Sequence, residues 1–410
     1  MINNIQSVII PYHHQDLDLK CDFIFQTVKE LQKRSIKVTV LLRQHFIWFP
    51  IFLFNFFWKR HHLHLDISAD FDTNNLKVFK TPVLIPTFLN FLPGMMEINR
   101  RFSLFILKHF ISYQSADIFW NFDPFNIDLL KEINELKITT LFDCVDYYTS
   151  IIPEKKIEIE DAFHESLKQS NVVCANSHVL YSFCNKLNKN THLVPQGFDE
   201  ETFLRSEFDL LPDVLKKDRR KKIGFVGNLT YRIDYELLNK LIAQHPNHLF
   251  LISDTYLPCD PEDSMCDTEK MIEELKRYKN IFWIPKLARR NLIPYIKALD
   301  IGIIPYDIRF QFNTYCYPMK LFEYFYIGKP VISTPIEELK RFPRYVKIGS
   351  TAQEWEKQIK ESLAKPWSER YKQQQRKLAE ENIWEKKVSS ILKIIFNNER
   401  KETRHSHYLP

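Results

Sequence analysis

The chain is short of glycine, with seven in 410 residues. That scarcity makes each position informative, and Gly224, Gly227, Gly302 and Gly328 all fall in or beside predicted strands of the second half. Paired cysteines are missing too: Cys21, Cys144, Cys174, Cys184, Cys259, Cys266 and Cys316 are an odd, scattered set without a Cys-x-x-Cys. Neither a disulfide framework nor a zinc ribbon is supported, and a reducing compartment fits. The start, MINNIQSVIIPY, lacks the basic residues and long apolar core of a signal peptide. No internal repeat, low-complexity tract or nucleic-acid motif is present, and no partner of that kind is expected.

What is present is an ordinary globular composition, 45% hydrophobic and 26% charged, at a length suited to two domains. Aromatics are abundant, with 33 Phe and 18 Tyr. The net charge of +6 permits anionic partners such as nucleotide-sugars or a lipid headgroup surface.

The most informative stretch is YPMKLFEYFYIGKPVIST, Tyr317 to Thr334. Met319 to Ile327 is apolar almost throughout and stops at Gly328, which reads as a core helix, and Val331–Thr334 reads as a buried strand. Lys320 and Glu323 alone carry charge in that helix and share a face. They make either an i,i+3 ion pair worth ~0.2–0.5 kcal/mol or a ligand site. In the second case the helix amino end and Lys320 take a phosphate, and Glu323 accepts from ribose hydroxyls.

In the first half, Ser7–Pro11, Phe23–Arg34 and Ile36–Leu42 read as strand, helix, strand, the start of a parallel sheet. His13 and His14 follow the first strand, where ligands of such sheets bind, although loop histidines are also commonly uninvolved. Two aromatic stretches, His45–Leu65 and Leu84–Phe110, are too interrupted to span a bilayer. They read either as core packing or as a peripheral membrane surface or lipid-acceptor groove, with Trp48, Trp58 and the Lys59-Arg60-His61-His62 cluster as interfacial features. Asp143 and Asp146 are read as acceptor-orienting carboxylates or helix caps.

In the second half, KKIGFVGNLTYRIDYELL is strand, tight turn at Gly227 and Asn228, then helix. Strands and helices alternate from Lys222 to Ala364, making a second Rossmann-like domain. A helix over Asn382–Phe396 precedes an expected loose tail at 399–410.

Pro318 to Ile332 resembles the nucleotide-binding segment of GT-B glycosyltransferases of the family 4 type, whose members act on cell-surface polysaccharides. That resemblance implies an α/β fold of two Rossmann-like domains facing a cleft, with the last helix crossing back onto the first. The expected limits are 1–212 (with 381–398) for the acceptor side and 213–380 for the nucleotide-sugar side. It further implies a retaining, metal-independent hexosyl transfer, with no cofactor, from a nucleotide-diphosphate sugar to a glycan or lipid-linked acceptor. The location implied is cytoplasmic, at the inner face of the membrane. Glu323 becomes the ribose glutamate, Lys320 and Arg232 the groups on the diphosphate, and Gly227, Asn228 and the amides near Tyr317 the phosphate contacts. Lys286 and Leu287 fall where relatives contact the base, and His13 or His14 would hold acceptor or sugar. One departure is Tyr315, which stands where many members carry a second glutamate. A nucleotide-sugar 2-epimerase of the same architecture, or a non-catalytic nucleotide-sugar binder or assembly partner, are the alternatives.

Overall fold

The computed structural model describes residues 5–12, 23–58, 75–136, 138–149, 153–204, 211–255 and 268–406. These divide into two compact units, one within Met1–Pro195 and Trp384–Pro410 and the other within Gln196–Ile383.

The first unit is a parallel seven-stranded sheet in the order β3-β2-β1-β4-β5-β6-β7. Its strands are β1 Ser7–Tyr12, β2 Lys37–Trp48, β3 Leu76–Val83, β4 Ile118–Asn121, β5 Thr139–Cys144, β6 Val172–Ala175 and β7 Thr191–Leu193. Central strands such as IFWN and VVCA are buried on both faces, so they read as unbroken apolar runs rather than alternations. Helix Trp384–Ser406 belongs to this unit. Val388, Ile391, Leu392 and Ile395, at i, i+3, i+4 and i+7, enter the same core as Val8, Ile24 and Val28. The helix runs on to Ser406, past the expected start of the tail at 399, because NNERKETRHS retains helix-forming Glu, Arg and Lys.

Asp143 takes neither role expected of it. Its carboxylate is fully buried, accepts from Lys387 Nζ at 3.0 Å, and lies 3.3 Å from Trp120 Nε1. It thus anchors the last helix to β5.

The second unit is a parallel six-stranded sheet in the order β10-β9-β8-β11-β12-β13. Its strands are β8 Lys222–Phe225, β9 Leu249–Ser253, β10 Ile281–Ile284, β11 Ile301–Ile304, β12 Val331–Ser333 and β13 Val346–Ile348. The order reverses between the adjacent strands β8 and β11, and ligands of such sheets bind outside the carboxyl ends at that switch point. The loops leaving the two strands are joined there by a bridge between Ile233 and Tyr306.

The dividing point falls at Pro195, earlier than the expected Pro212. Phe198 and Phe203 cause this: both rings pack on Tyr326, at 5.1 and 5.6 Å between centroids, and Phe198 N donates to Asn382 O at 2.7 Å.

Removing one member of a buried ion pair strands the other charge, at a cost of about 3–5 kcal/mol. Lys387→Met is therefore expected to lower stability by that order in urea unfolding followed by far-UV circular dichroism. A change below about 1 kcal/mol would show that the pair does not anchor the helix.

Candidate functional site

The site is built on helix Lys320–Ile327, which buries Leu321, Phe322, Tyr324, Phe325 and Tyr326. Gly328 ends it in the left-handed conformation (φ 75°), and the amides of Gly328 and Lys329 close back onto Phe325 O and Tyr324 O. The helix lies close on the sheet because Gly302 of β11 has no side chain: a Cβ there would stand 2.6 Å from the Tyr324 ring. The Tyr324 hydroxyl is within 3.3 Å of the Gly224 and Ile303 carbonyls, tying the helix to β8 and β11 together.

This seating carries the helix start to the switch point. Lys320 runs over the bare backbone of Gly227, where a Cβ would meet its Cε and Nζ at 2.2 Å. Its ammonium lies 4.9 Å from the centre of the Phe225 ring and forms no ion pair among the described residues. Desolvation pushes its pKa below the ordinary lysine value, a shift deepened by Arg289 and Arg232 and opposed by Glu323. The amides of Tyr317, Met319 and Lys320 donate to no acceptor among the described residues. A cation next to unspent amides at a helix start is an anion-binding arrangement.

Glu323 does not pair with Lys320, as the simple i,i+3 reading had it. Its Oε1 accepts instead from Arg289 Nη2 at 2.6 Å, and both side chains are mostly buried. Arg232 is fixed on the other side of the site. Its Nε donates to Asn313 Oδ1 at 2.8 Å, and its guanidinium lies 5.2 Å from the centres of both Tyr306 and Phe312. Asn313 is fully buried and donates in turn to the carbonyls of Arg232 and Asp307. A short helix, Gln311–Tyr315, presents Asn313.

The remaining expected residues are dispersed in role. Gly227 N donates to Ser253 Oγ at 2.9 Å, and Asn228 beside it is exposed. Lys286 is exposed and Leu287 half-buried in the loop before helix Arg289–Ala298. The Tyr317 ring packs on Phe322 and Phe342, and burial raises its pKa, so only its amide is available to a ligand. His13 and His14 lie outside the described residues. Arg289 and Asn313 were not singled out from the sequence, since their partners are 34 and 81 residues away.

No protein-family model matches the chain. Over 270 residues it is 22% identical to TuaH of Bacillus subtilis, described as a teichuronic acid biosynthesis glycosyltransferase. That match covers 62% of this chain and 66% of TuaH, slightly less than two thirds of the relative's length. Among solved structures, sucrose-phosphate synthase from Thermosynechococcus elongatus superposes with a TM-score of 0.71 at 13% identity, over 96% of this chain and 98% of that one. A structure described as trehalose-6-phosphate from E. coli bound with UDP-2-fluoroglucose gives 0.63 at 10% identity, over 95% and 99%. The fold is GT-B, as the Pro318–Ile332 motif implied.

A half-buried ammonium with a depressed pKa costs folding free energy, which gives a signed test. Between the folded pKa and the ordinary 10.5, the unfolded chain binds the extra proton, so wild-type stability rises with pH there. Lys320→Met is expected to melt higher than wild type at pH 7, the gap narrowing as pH approaches 10, while binding of inorganic pyrophosphate is lost. A pH-independent gap in differential scanning fluorimetry would refute the desolvation account.

Proposed function

We propose that the chain is a glycosyltransferase. It moves a hexosyl group from a nucleotide-diphosphate sugar to a glycan or lipid-linked acceptor in surface polysaccharide synthesis, with retention and without a metal. The observation that carries this reading is Lys320 seated over Gly227, beside unspent helix-start amides and between the anchored Arg232 and Glu323. The polysaccharide role described for TuaH and the UDP-sugar analogue bound in the E. coli structure agree with it.

In this reading the diphosphate docks on the amides of Tyr317, Met319 and Lys320 and on the Gly227 turn, the ribose on Glu323, and the base by the Lys286–Leu287 loop. The bond from the anomeric carbon to phosphate oxygen breaks, and its electron pair goes to the diphosphate. The acceptor hydroxyl oxygen bonds to that carbon on the same face, and its proton passes to the departing phosphate. Positive charge held beforehand on Lys320 and Arg232 stabilises the leaving diphosphate without reorganisation. Arg232 is suited to this because Asn313 occupies its Nε and two rings hold its plane.

Arg232→Ala is expected to raise the barrier by about 2–4 kcal/mol, a loss of roughly 30- to 1,000-fold in turnover. Nucleoside-diphosphate release from a donor panel, with and without a lipid extract as acceptor, measures it. A wild-type rate would remove Arg232 from the site. EDTA is expected to leave the rate unchanged, and a metal-dependent rate would overturn the metal-free part of the reading. Tight donor binding without turnover would favour the non-catalytic binder.

The acceptor side is proposed to work at the inner face of a membrane. No described helix is long and apolar enough to cross one. Most of the large apolar side chains left exposed among the described residues fall between Phe46 and Phe105, with Phe88 at 74% and Phe91 at 78%. The Trp48 indole donates to Leu84 O, and Phe49 meets Phe102 edge-on, so the helix Phe49–Trp58, the 84–94 loop and the helix Met95–Gln114 are tied together. Beside them, the exposed Arg100 and Arg101 share Glu97, holding its pKa down to about 2 and leaving a net positive trio. Apolar rings with a cationic border suit an anionic bilayer surface. The double variant Phe88→Ser, Phe91→Ser is expected to reduce co-sedimentation with phosphatidylglycerol vesicles about tenfold or more. Undiminished co-sedimentation would assign the patch elsewhere, and dimerisation of wild type in light scattering, lost in the variant, would assign it to a second copy.

A further inference from the structure

Helix Arg289–Ala298 begins against the usual electrostatics. Its first two residues are Arg289 and Arg290, its first turn contains no acid, and its cap residue Ala288 supplies no side-chain hydrogen bond. Cations at a helix amino end oppose the helix dipole. At Arg289 the compensation is Glu323, 34 residues on, held through the 2.6 Å contact to its Oε1. The other carboxylate oxygen of Glu323 accepts nothing among the described residues.

We infer that Arg289 is the positioning residue for Glu323, setting that carboxylate to accept from ribose hydroxyls. The inference rests on the nucleotide reading above and adds a residue to it. Two consequences of the geometry support it. First, a guanidinium on Oε1 fixes the carboxylate plane and leaves Oε2 as the acceptor for a donor hydroxyl. Second, Lys320 lies one helical turn from Glu323, at the spacing where a lysine and a glutamate pair. With Arg289 in place they do not, so the ammonium stays at the Gly227 turn and the carboxylate stays apart. Without Arg289 the two would close on each other, and both ligand contacts would be lost to an internal ion pair. Arg289 also directly follows Lys286, Leu287 and Ala288. A single loop would then set the base-side edge and the ribose acceptor together.

The test is equilibrium binding of UDP, GDP and ADP against their 2′,3′-dideoxy counterparts, by calorimetry. A hydrogen bond to a charged acceptor is worth about 1.5–3 kcal/mol, so wild type should prefer the ribose form by about tenfold or more. Arg289→Ala and Glu323→Ala should each reduce that preference to about threefold or less, and the double variant should lose no more than Glu323→Ala alone. Arg289→Lys, which keeps the charge without the planar fork, should retain part of it and guards against misfolding of the alanine variant. An equal drop for ribose and dideoxy forms in Arg289→Ala, with the preference intact, would make the residue merely structural and overturn the inference. A wild type that binds ribose and dideoxy forms equally, or binds none of them, would overturn the nucleotide reading itself.

Discussion

The candidate site of the second unit is built around one close approach, the passage of Lys320 over the unsubstituted backbone of Gly227. That approach is a consequence of core packing several residues away. Helix Lys320–Ile327 buries four aromatic rings, and Tyr324 settles into the gap left by Gly302. Because its hydroxyl reaches carbonyls on both β8 and β11, the helix cannot slide along the sheet without losing buried polar partners. The helix start is therefore aimed at the point where strand order reverses, by packing rather than by any residue of the site.

Around that point the charges differ in how they are held. Arg232 and Arg289 are each secured by a buried or nearly buried partner, Asn313 and Glu323, whereas Lys320 is partly desolvated over the Phe225 ring and has no ion pair among the described residues. A fixed guanidinium can stabilise developing negative charge without moving. The contrast with Lys387 and Asp143 is instructive. There the same residue types are only 1% and 0% exposed and face each other inside the first unit. No ligand can reach them, and their work is to hold a helix. Burial and partner, more than residue type, separate the two roles.

Much of this was legible in the sequence where the signal is local. The Lys320 helix stops at Gly328 as its composition dictates, and β8, β9, β10, β11 and β12 follow apolar runs that need no distant information. Local reading failed in three ways. β3, LKVFKTPV, carries Lys77, Lys80 and Pro82 and resembles a loop until its pairing with β2 is known. The early boundary at Pro195 depends on Phe198 and Phe203 finding Tyr326, more than a hundred residues later. The partners of Asp143 and Glu323 lie 244 and 34 residues away, beyond the reach of helical spacing, which offered capping for one and Lys320 for the other. Periodicity reports which face a residue occupies and says nothing of who waits opposite.

The glycines sharpen the distinction between residues kept for folding and residues kept for the site. At Gly224 a Cβ would meet a leucine side chain and a backbone carbonyl within 2.8 Å, and at Gly302 it would meet an aromatic ring wedged in the core. Neither obstacle can withdraw, so both positions are demanded by the packing of the sheet. At Gly227 the obstacle is the free end of a lysine, the most easily displaced group of the three. The lysine could swing out toward water, but with φ at +156° residue 227 has a backbone that L side chains rarely adopt, so the turn itself also asks for glycine. In a chain with so few glycines, one stands where a Cβ would first meet the last atoms of a lysine that burial disfavours in its charged form. That glycine therefore serves two ends, the backbone of the turn and room for an ammonium beside open amides, and such a pairing favours an anion.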